Sequence, residues 1–485
     1  MFRYNALNKI LRSVSMKHRT LAGLICAVFT LLLCSCAHTP GDTLPSSSPP
    51  TTEIPLTAAE QYANACKAIG EAEHLLLTYN VSEVRNVNGA AYTKSASGTA
   101  TYQNIHQDSM TAVVEETLKY STYENTYEEF YCDKSAYVLV GNCIFSTDLT
   151  VSAFVDRQIP AVLMNGALYE SIVAEPLETG TLLTFSQPTG LERWLSPGET
   201  ATLVTASGTA TLDSDGNLTQ GAYHATYLYQ GVEYVYDITV KVSLPKALDL
   251  SGRHPAHFQE TIPISDIRIP KLLMQVVGDV YSSETLSCGA KESIYSEAIS
   301  VSQDRLGNYE LSGTGAALNA KMAYTFTLSD YRGDVSTSTQ EYLYQNGEFT
   351  VSLNGGEPSL QPQISPQTVR QSCEDAILSA LFATKYIRSA TLQEEDGHYR
   401  LELFGNDTFI ADMMVGITQF LNVDLESLCD SALTNEATGY VVLDSTTGLP
   451  TAMGLSLNRQ HIVNTVPYQL TYRLEHTIVL SGMEE

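Results

Sequence analysis

Strict two-residue alternation, recurring in widely separated segments, limits this chain's fold more than any other feature. From 468 to 478, Tyr468, Leu470, Tyr472, Leu474, His476 and Ile478 share one side, and Gln469, Thr471, Arg473, Glu475 and Thr477 the other. From 234 to 242, Tyr234, Tyr236, Ile238, Val240 and Val242 oppose Val235, Asp237, Thr239 and Lys241. From 321 to 328, Met322, Tyr324, Phe326 and Leu328 oppose Lys321, Ala323, Thr325 and Thr327. One apolar and one wet face at period two predict antiparallel sheet. Asp215-Gly216, Asn346-Gly347 and Asp396-Gly397 supply hairpin turns.

The alternating segments fall into a repeated order. Ser207-Gly-Thr-Ala-Thr-Leu212-Asp213-Ser214 recurs as Thr438-Gly-Tyr-Val-Val-Leu443-Asp444-Ser445, and Tyr236-Asp-Ile-Thr-Val as Tyr468-Gln-Leu-Thr-Tyr. Ser97-Gly-Thr-Ala resembles Ser312-Gly-Thr-Gly, Tyr131 with its hairpin resembles Tyr342-Leu-Tyr-Gln-Asn-Gly, and Val155-Asp-Arg-Gln158 resembles Thr368-Val-Arg-Gln371. Shared order predicts two copies, at 57–248 and 270–483, joined by a linker at 249–269. The 485 residues leave each copy enough length for a core of its own.

Charge narrows the partners. Lys+Arg total 27 against Asp+Glu 54, a formal −27 that repels phosphate backbones and excludes nucleic-acid binding as the expected role. The positive charge is concentrated at the start, where Arg3, Lys9, Arg12, Lys17 and Arg19 occur with no acid. The apolar run from Leu21 to Leu33 follows, too short to cross a bilayer comfortably. This order reads as a secretion signal over 1–35. Leu33-Cys34-Ser35-Cys36 resembles the lipobox of bacterial lipoproteins. The resemblance implies a diacylglycerol thioether on Cys36, which becomes the mature N-terminus of a chain anchored to the cell membrane on its extracytoplasmic side; two acyl chains hold where one does not. Cleavage there removes five basic residues and takes the charge from −27 to −32. Residues 36–56, rich in Ser, Thr and Pro, read as a tether.

Helices interrupt the strands. Thr57-Ala-Ala-Glu60 is a capping box opening a helix through Tyr62, Ala65, Cys66, Ile69 and Leu76. Further helices are expected near 158–173, 272–281, 366–387, 408–420 and 423–433. The predicted class is α+β, mainly antiparallel β. This element order resembles the curved half-barrel of bacterial lipoprotein carriers and mycobacterial cell-wall lipoproteins (the LolA and LppX type). The resemblance implies two tandem bent sheets, each roofed by helices over an apolar cavity that holds acyl chains.

Local chemistry is sparse. No nucleophile elbow, zinc helix or phosphate loop is present. His254 and His257 lack companions for a metal set and read as linker residues. His224 sits on a strand, and His476 reads as a core or cavity-rim histidine. Asp213-Ser-Asp215-Gly216 reads as a hairpin rather than a calcium loop. Glu115-Glu116, Glu128-Glu129 and Glu394-Glu395-Asp396 read as wet-face charge, since strand neighbours point to opposite faces. The 28 Tyr against one Trp could form a sugar platform but read as half-buried strand residues. Beyond Cys36, six cysteines remain in the mature chain; Cys373–Cys429 is the first disulfide candidate and Cys132–Cys143 the second, with buried free thiols the alternative. No metal or cofactor is expected. These features predict a non-enzymatic surface lipoprotein binding a lipid or other hydrophobic ligand; the alternative is a structural or regulatory protein with packed half-barrels that meets a partner by its outer face.

Overall fold

The computed structural model describes residues 55–87, 89–120, 123–158, 169–188, 200–253, 260–381, 383–395, 397–421 and 431–480. The signal, Cys36 and most of the tether lie outside them. Residues 56–485 cluster as one compact unit.

The first sheet uses β1 (His74–Val87), β2 (Ala90–Gln103), β3 (Thr111–Tyr120), β4 (Tyr123–Cys132), β5 (Ser135–Val140), β6 (Cys143–Asp148), β7 (Tyr169–Leu177), β8 (Gly180–Pro188), β9 (Thr202–Asp213), β10 (Leu218–Tyr229) and β11 (Val232–Ser243). After the short β12 (Ile262–Pro263), the second uses β13 (Thr285–Ser296), β14 (Val301–Ser312), β15 (Asn319–Ser329), β16 (Val335–Gln345), β17 (Glu348–Leu353), β18 (Ser359–Leu360), β19 (Ile387–Glu395), β20 (His398–Gly405), β21 (Ser431–Asp444), β22 (Pro450–Val463) and β23 (Val466–Leu480). Among the described residues five α-helices accompany them: α1 (Ala58–Gly70), α2 (Val151–Gln158), α3 (Ile269–Ser282), α4 (Pro366–Leu378) and α5 (Asp407–Leu421).

The two sheets share one strand order. In the first it runs β6-β5-β4-β3-β2-β1-β11-β10-β9-β8-β7, in the second β18-β17-β16-β15-β14-β13-β23-β22-β21-β20-β19. Each opens at its centre on its first and last strands, so the chain goes out along one wing and returns along the other. The Gly-Thr matches differ in quality. Gly208 and Gly439 both sit mid-strand, and Asp213 and Asp444 both end their strands by accepting backbone N–H groups of the turn. Gly98 is mid-strand, whereas Gly313 lies just past β14.

The expected α+β half-barrels roofed by helices are corrected here. The described residues are dominated by the two large sheets, and neither sheet closes, since the end strands of each are unpaired with one another. Length explains the missing roofs. Eleven strands spaced about 4.8 Å apart span roughly 50 Å, and strands of 12–15 residues run roughly 40–50 Å. Helices of 8–15 residues measure roughly 12–22 Å and cover only part of such a face. The remainder is filled by the sheets' own inward tyrosines. Tyr79, Tyr102, Tyr127, Tyr131, Tyr223 and Tyr227 are buried in a core continuous with that of the second sheet.

The helix expected at 272–281 is α3, and it does not serve its own repeat alone. It packs on β3 and β4 of the first sheet and on α4. A Cβ on Gly278 would stand 2.3 Å from Cβ of Tyr120, so this contact admits only glycine. The α3 carboxylate Asp279 accepts from Arg85 Nη2 at 2.8 Å, and Arg85 Nη1 donates to the Thr447 carbonyl at 2.6 Å. Gln275 Nε2 donates to the Gly448 carbonyl at 2.8 Å, so the turn after β21 is fixed in the same seam.

Other boundaries shift. The helix expected near 158–173 is not found there among the described residues: α2 precedes it and ends at Gln158, 159–168 lie outside the described residues, and Tyr169 already begins β7. The 366–387 helix ends at Leu378. The stretch expected as a helix at 423–433 lies outside the described residues up to 430, and Ser431 begins β21. The Thr57 capping box forms as expected: Glu60 N donates to Thr57 Oγ1 at 3.2 Å and Thr57 N to Glu60 Oε2 at 2.8 Å. In the linker, β12 pairs in parallel with β6, and the next residue, Ile264, bridges Ala390 of β19.

Candidate functional site

Two inner faces invite comparison, both on the wing of strands nearest the chain start in their sheet. In the first sheet the face is closed. Ala112, Val114, Leu118 and Tyr120 on β3, Tyr127 and Tyr131 on β4, and Ala136, Val138 and Val140 on β5 are all buried. Among them sit two buried carboxylates. Glu116 accepts from Tyr79 Oη at 2.5 Å and from Lys271 Nζ, carried by α3, at 2.6 Å. Glu129, with no exposed surface, accepts from Tyr127 Oη at 2.9 Å and from Arg157 Nη2 of α2.

Burial raises the affinity of Glu116 for a proton, but Lys271 and the hydrogen bonds from Lys271 and Tyr79 outweigh it and hold the carboxyl below its ordinary range. Burial lowers the Arg157 guanidinium, but Glu129, Tyr127 and Tyr102 together outweigh it and hold it above its ordinary range. Each carboxylate is thus balanced by one cation, and Glu116, held ionised, is a poor proton donor. Tyr102 Oη points among these charges, fully buried and without a hydrogen-bond partner among the described residues; burial first, then Glu129, pushes its pKa up. The cluster binds α2 and α3 to the sheet.

This corrects the wet-face reading of two pairs. Glu116 and Glu129 turn inward, while Glu115 meets Arg253 on the exposed side. Glu116 shares the phase of Val114 and Leu118, and Glu129 that of Tyr127 and Tyr131, a signal present in the sequence. Glu394 is exposed as expected and accepts from Arg268 at 2.7 Å. Asp396 lies outside the described residues.

In the second sheet the matching face is open. A row of rings crosses four strands: Tyr309 to Tyr324 at 5.6 Å between centroids, Tyr324 to Tyr342 at 6.0 Å, and Tyr342 to Phe349 at 6.2 Å, the last pair stacked. Phe326 adjoins Tyr324 at 6.0 Å. Tyr309 is buried; Met322, Tyr324, Phe326, Tyr342, Phe349 and Val351 are only half-buried. Leu328 and Leu353 are exposed, Leu353 to 57%. Ser336, Ser338 and Gln340 of β16 pair with Leu328, Phe326 and Tyr324 and make a polar margin. Arg305 lies over the Tyr324 ring and forms an ion pair with Glu292 at 2.7 Å, whose other oxygen accepts from Tyr472 Oη at 2.8 Å.

The helices of this half cover that face only in part. α4 touches β14 and β15, and α5 packs Ile410, Met414 and Ile417 with Ile294, Ala437, Leu457 and Leu470 in a smaller cluster. Two grooves are open and partly polar. One of about 600 Å³ is lined by Tyr123, Tyr281, Arg370 and Glu374. One of about 510 Å³ is lined by Ser287, Glu310, Lys321 and Leu343. In the first, burial pushes Glu374 up to about 7 although Arg370 Nε donates to it at 2.7 Å.

Cys36, His254, His257 and Cys429 lie outside the described residues. Cys373 is a buried free thiol on the inner stripe of α4, pushed up to about 11 by burial. Cys132 and Cys143 are free, so the second disulfide candidate is not formed. His476 is buried, bonds the Ile377 carbonyl through Nδ1 at 2.8 Å and has its pKa lowered by burial, the core placement expected for it. His224 contacts Asp237 at 2.8 Å on the outer face of the first sheet. Asp213 closes a hairpin, accepting from Asp215 N at 2.9 Å and Asn217 N at 2.8 Å. Among the described residues no group of three or more His, Cys, Asp or Glu could hold a metal ion, and no helix is long and apolar enough to cross a membrane.

No protein-family model matches the chain, and no curated protein does. Solved structures similar to it include LprF from Mycobacterium bovis, 12% identical, covering 40% of this chain and 95% of that one at a TM-score of 0.25. Kievitone hydratase from Nectria haematococca is 8% identical, covering 89% and 95%, at 0.14. OccK2 from Pseudomonas aeruginosa is 8% identical, covering 85% and 98%, at 0.11. TM-scores this low identify no fold family.

Proposed function

We propose that the protein is a non-enzymatic binding protein, anchored through Cys36 to the cell membrane on its extracytoplasmic side, that holds a hydrophobic ligand on the open inner face of its second sheet. The uncovered row of Tyr324, Tyr342 and Phe349 carries this reading, since the matching face of the first sheet is closed. Half-exposed rings set diagonally on adjacent strands leave apolar area in water that a ligand would recover at about 25 cal/mol per Å². The balanced ion pairs of the first sheet support a scaffold role for that half. A diazirine-bearing palmitate analogue tests the reading. After irradiation of the full chain, labelled peptides are expected to map to β15–β17; labelling confined to the first sheet, or spread evenly over the surface, would refute it. Anchoring is checked by metabolic incorporation of labelled palmitate, which Cys36→Ser should abolish.

A further inference from the structure

We propose that the outer face of the second sheet carries a site for an uncharged sugar unit, in a groove that crosses β20 to β23. It lies on the other face of the sheet from the row of rings and does not rest on the reading of that row. The internal repeat marks the place. Ser207-Gly208-Thr209 of β9 match Thr438-Gly439-Tyr440 of β21, and strand register carries the match sideways. Ser207 pairs with His224 and His224 with Asp237; Thr438 pairs with Ser456 and Ser456 with Arg473. Thr209 lies between Thr184 and Ala222, with Thr239 beyond; Tyr440 lies between Glu402 and Gly454, with Glu475 beyond. The first set lines a groove of about 430 Å³ and the second a groove of about 320 Å³. A depression at one register in both repeats belongs to the fold, and only its lining differs.

The lining of the second groove selects the ligand. In the first groove the polar pair is self-contained, since His224 Nδ1 meets Asp237 at 2.8 Å. In the second, Arg400 Nε donates to Glu402 at 3.2 Å and its guanidinium lies over the Tyr440 ring at 4.6 Å. The ring in turn rests on Gly454, where a Cβ would stand 2.7 Å from Cε1 of Tyr440, so glycine keeps the floor low. Arg473, Glu475 and Asn458 line the same groove and make no side-chain hydrogen bond or ion pair among the described residues. They offer a donor, an acceptor and a carboxamide that is both. The charges balance: Arg400 and Arg473 stand against Glu402 and Glu475, while Glu436 beside Asn458 and Lys291 across from Glu475 add one of each sign. An anion would approach against a chain at formal −27, and a cation would meet both arginines. Neighbouring hydroxyls of a sugar ring, which donate and accept at adjacent atoms, match planar guanidinium, carboxylate and carboxamide groups. The half-buried Phe404 adds an apolar edge for the ring's C–H groups, and the volume suits a small ligand.

The test uses the full chain in phosphatidylcholine nanodiscs, titrated by saturation-transfer NMR with maltose, cellobiose, lactose and diacetylchitobiose. At least one of these is expected to bind, with an affinity that does not change as salt rises. Arg473→Ala and Glu475→Ala, both at exposed positions, should each weaken that binding at least about tenfold while leaving Tm unchanged, because a charge-assisted hydrogen bond is lost. Asp237→Ala in the first groove should leave binding as it was. Absence of saturation transfer to every one of these sugars overturns the proposal, as does binding that survives both second-groove variants or is lost in Asp237→Ala. Preferential binding of glucuronate or glucosamine would give the groove to a charged ligand and overturns it as well. None of these readouts involves β15–β17, so diazirine labelling of the open face stands or falls separately.

Discussion

Tyr131 and Tyr342 face inward on corresponding strands, β4 and β16, and meet opposite fates, whereas Tyr344, which precedes its hairpin turn as Tyr131 does, is buried like it. Tyr131 is buried, touches Phe154 at 4.6 Å between rings and donates to the Leu149 carbonyl at 2.8 Å. Tyr342 stacks on Phe349 in a half-open row and donates to Gln340 at 3.0 Å. One strand order therefore supports a closed face or an open one, and the difference lies in what covers it. The first sheet receives α2 and α3 on this wing; the second receives only α4 at one end.

This comparison can be broken most directly by matched truncation. Tyr131→Ala should cost about 3–5 kcal/mol, and Tyr342→Ala no more than about 1.5 kcal/mol, in urea unfolding. Equal losses would mean that both faces are closed. Arg85→Ala should cost about 3–5 kcal/mol, because Asp279 is left buried without its cation; a loss under about 1 kcal/mol would mean α3 is not fixed to the first sheet.

Glu374 sharpens the second half. Its folded pKa of about 7 lies above the ordinary carboxyl value of 4.5, so the folded state holds this proton more tightly. The resulting stability is complete below about pH 4.5 and is lost as pH rises through about 7, up to ~3 kcal/mol in all. Glu374→Gln should flatten that slope in a pH series of urea midpoints, and an unchanged slope would assign it to other groups. A further effect is expected at the close contact of α3. Gly278→Ala should cost about 1–3 kcal/mol by overpacking against Tyr120, seen as a lowered Tm.

Much of the architecture was legible in the alternating segments, because period two is a local property of strands. The capping box at Thr57 and the helices near 272–281 and 408–420 were readable for the same reason. The inward turn of Glu116 and Glu129 was also readable, since each shares the phase of apolar neighbours, but the acidic pairs were taken together instead of residue by residue. The cations that meet them were not. Lys271 lies 155 residues from Glu116, and nothing in either segment points to the other. The roofs failed on length, as helices of 8–15 residues are shorter than the strands they were expected to span. The open face could not be read from β15, whose Met322, Tyr324, Phe326 and Leu328 alternate as a covered strand's would.

The linker strand β12 has a consequence for aggregation. By lying along Phe145 and Ser146 of β6 and joining Ile264 to Ala390 of β19, it occupies part of one end strand of each sheet. The ends that remain are β7, which carries Pro176, and the two-residue β18, set between Pro358 and Pro362. Proline cannot donate to a new ladder, so the 23 strands of the described residues, crowded beside other molecules, offer them little end-strand backbone on which to polymerise.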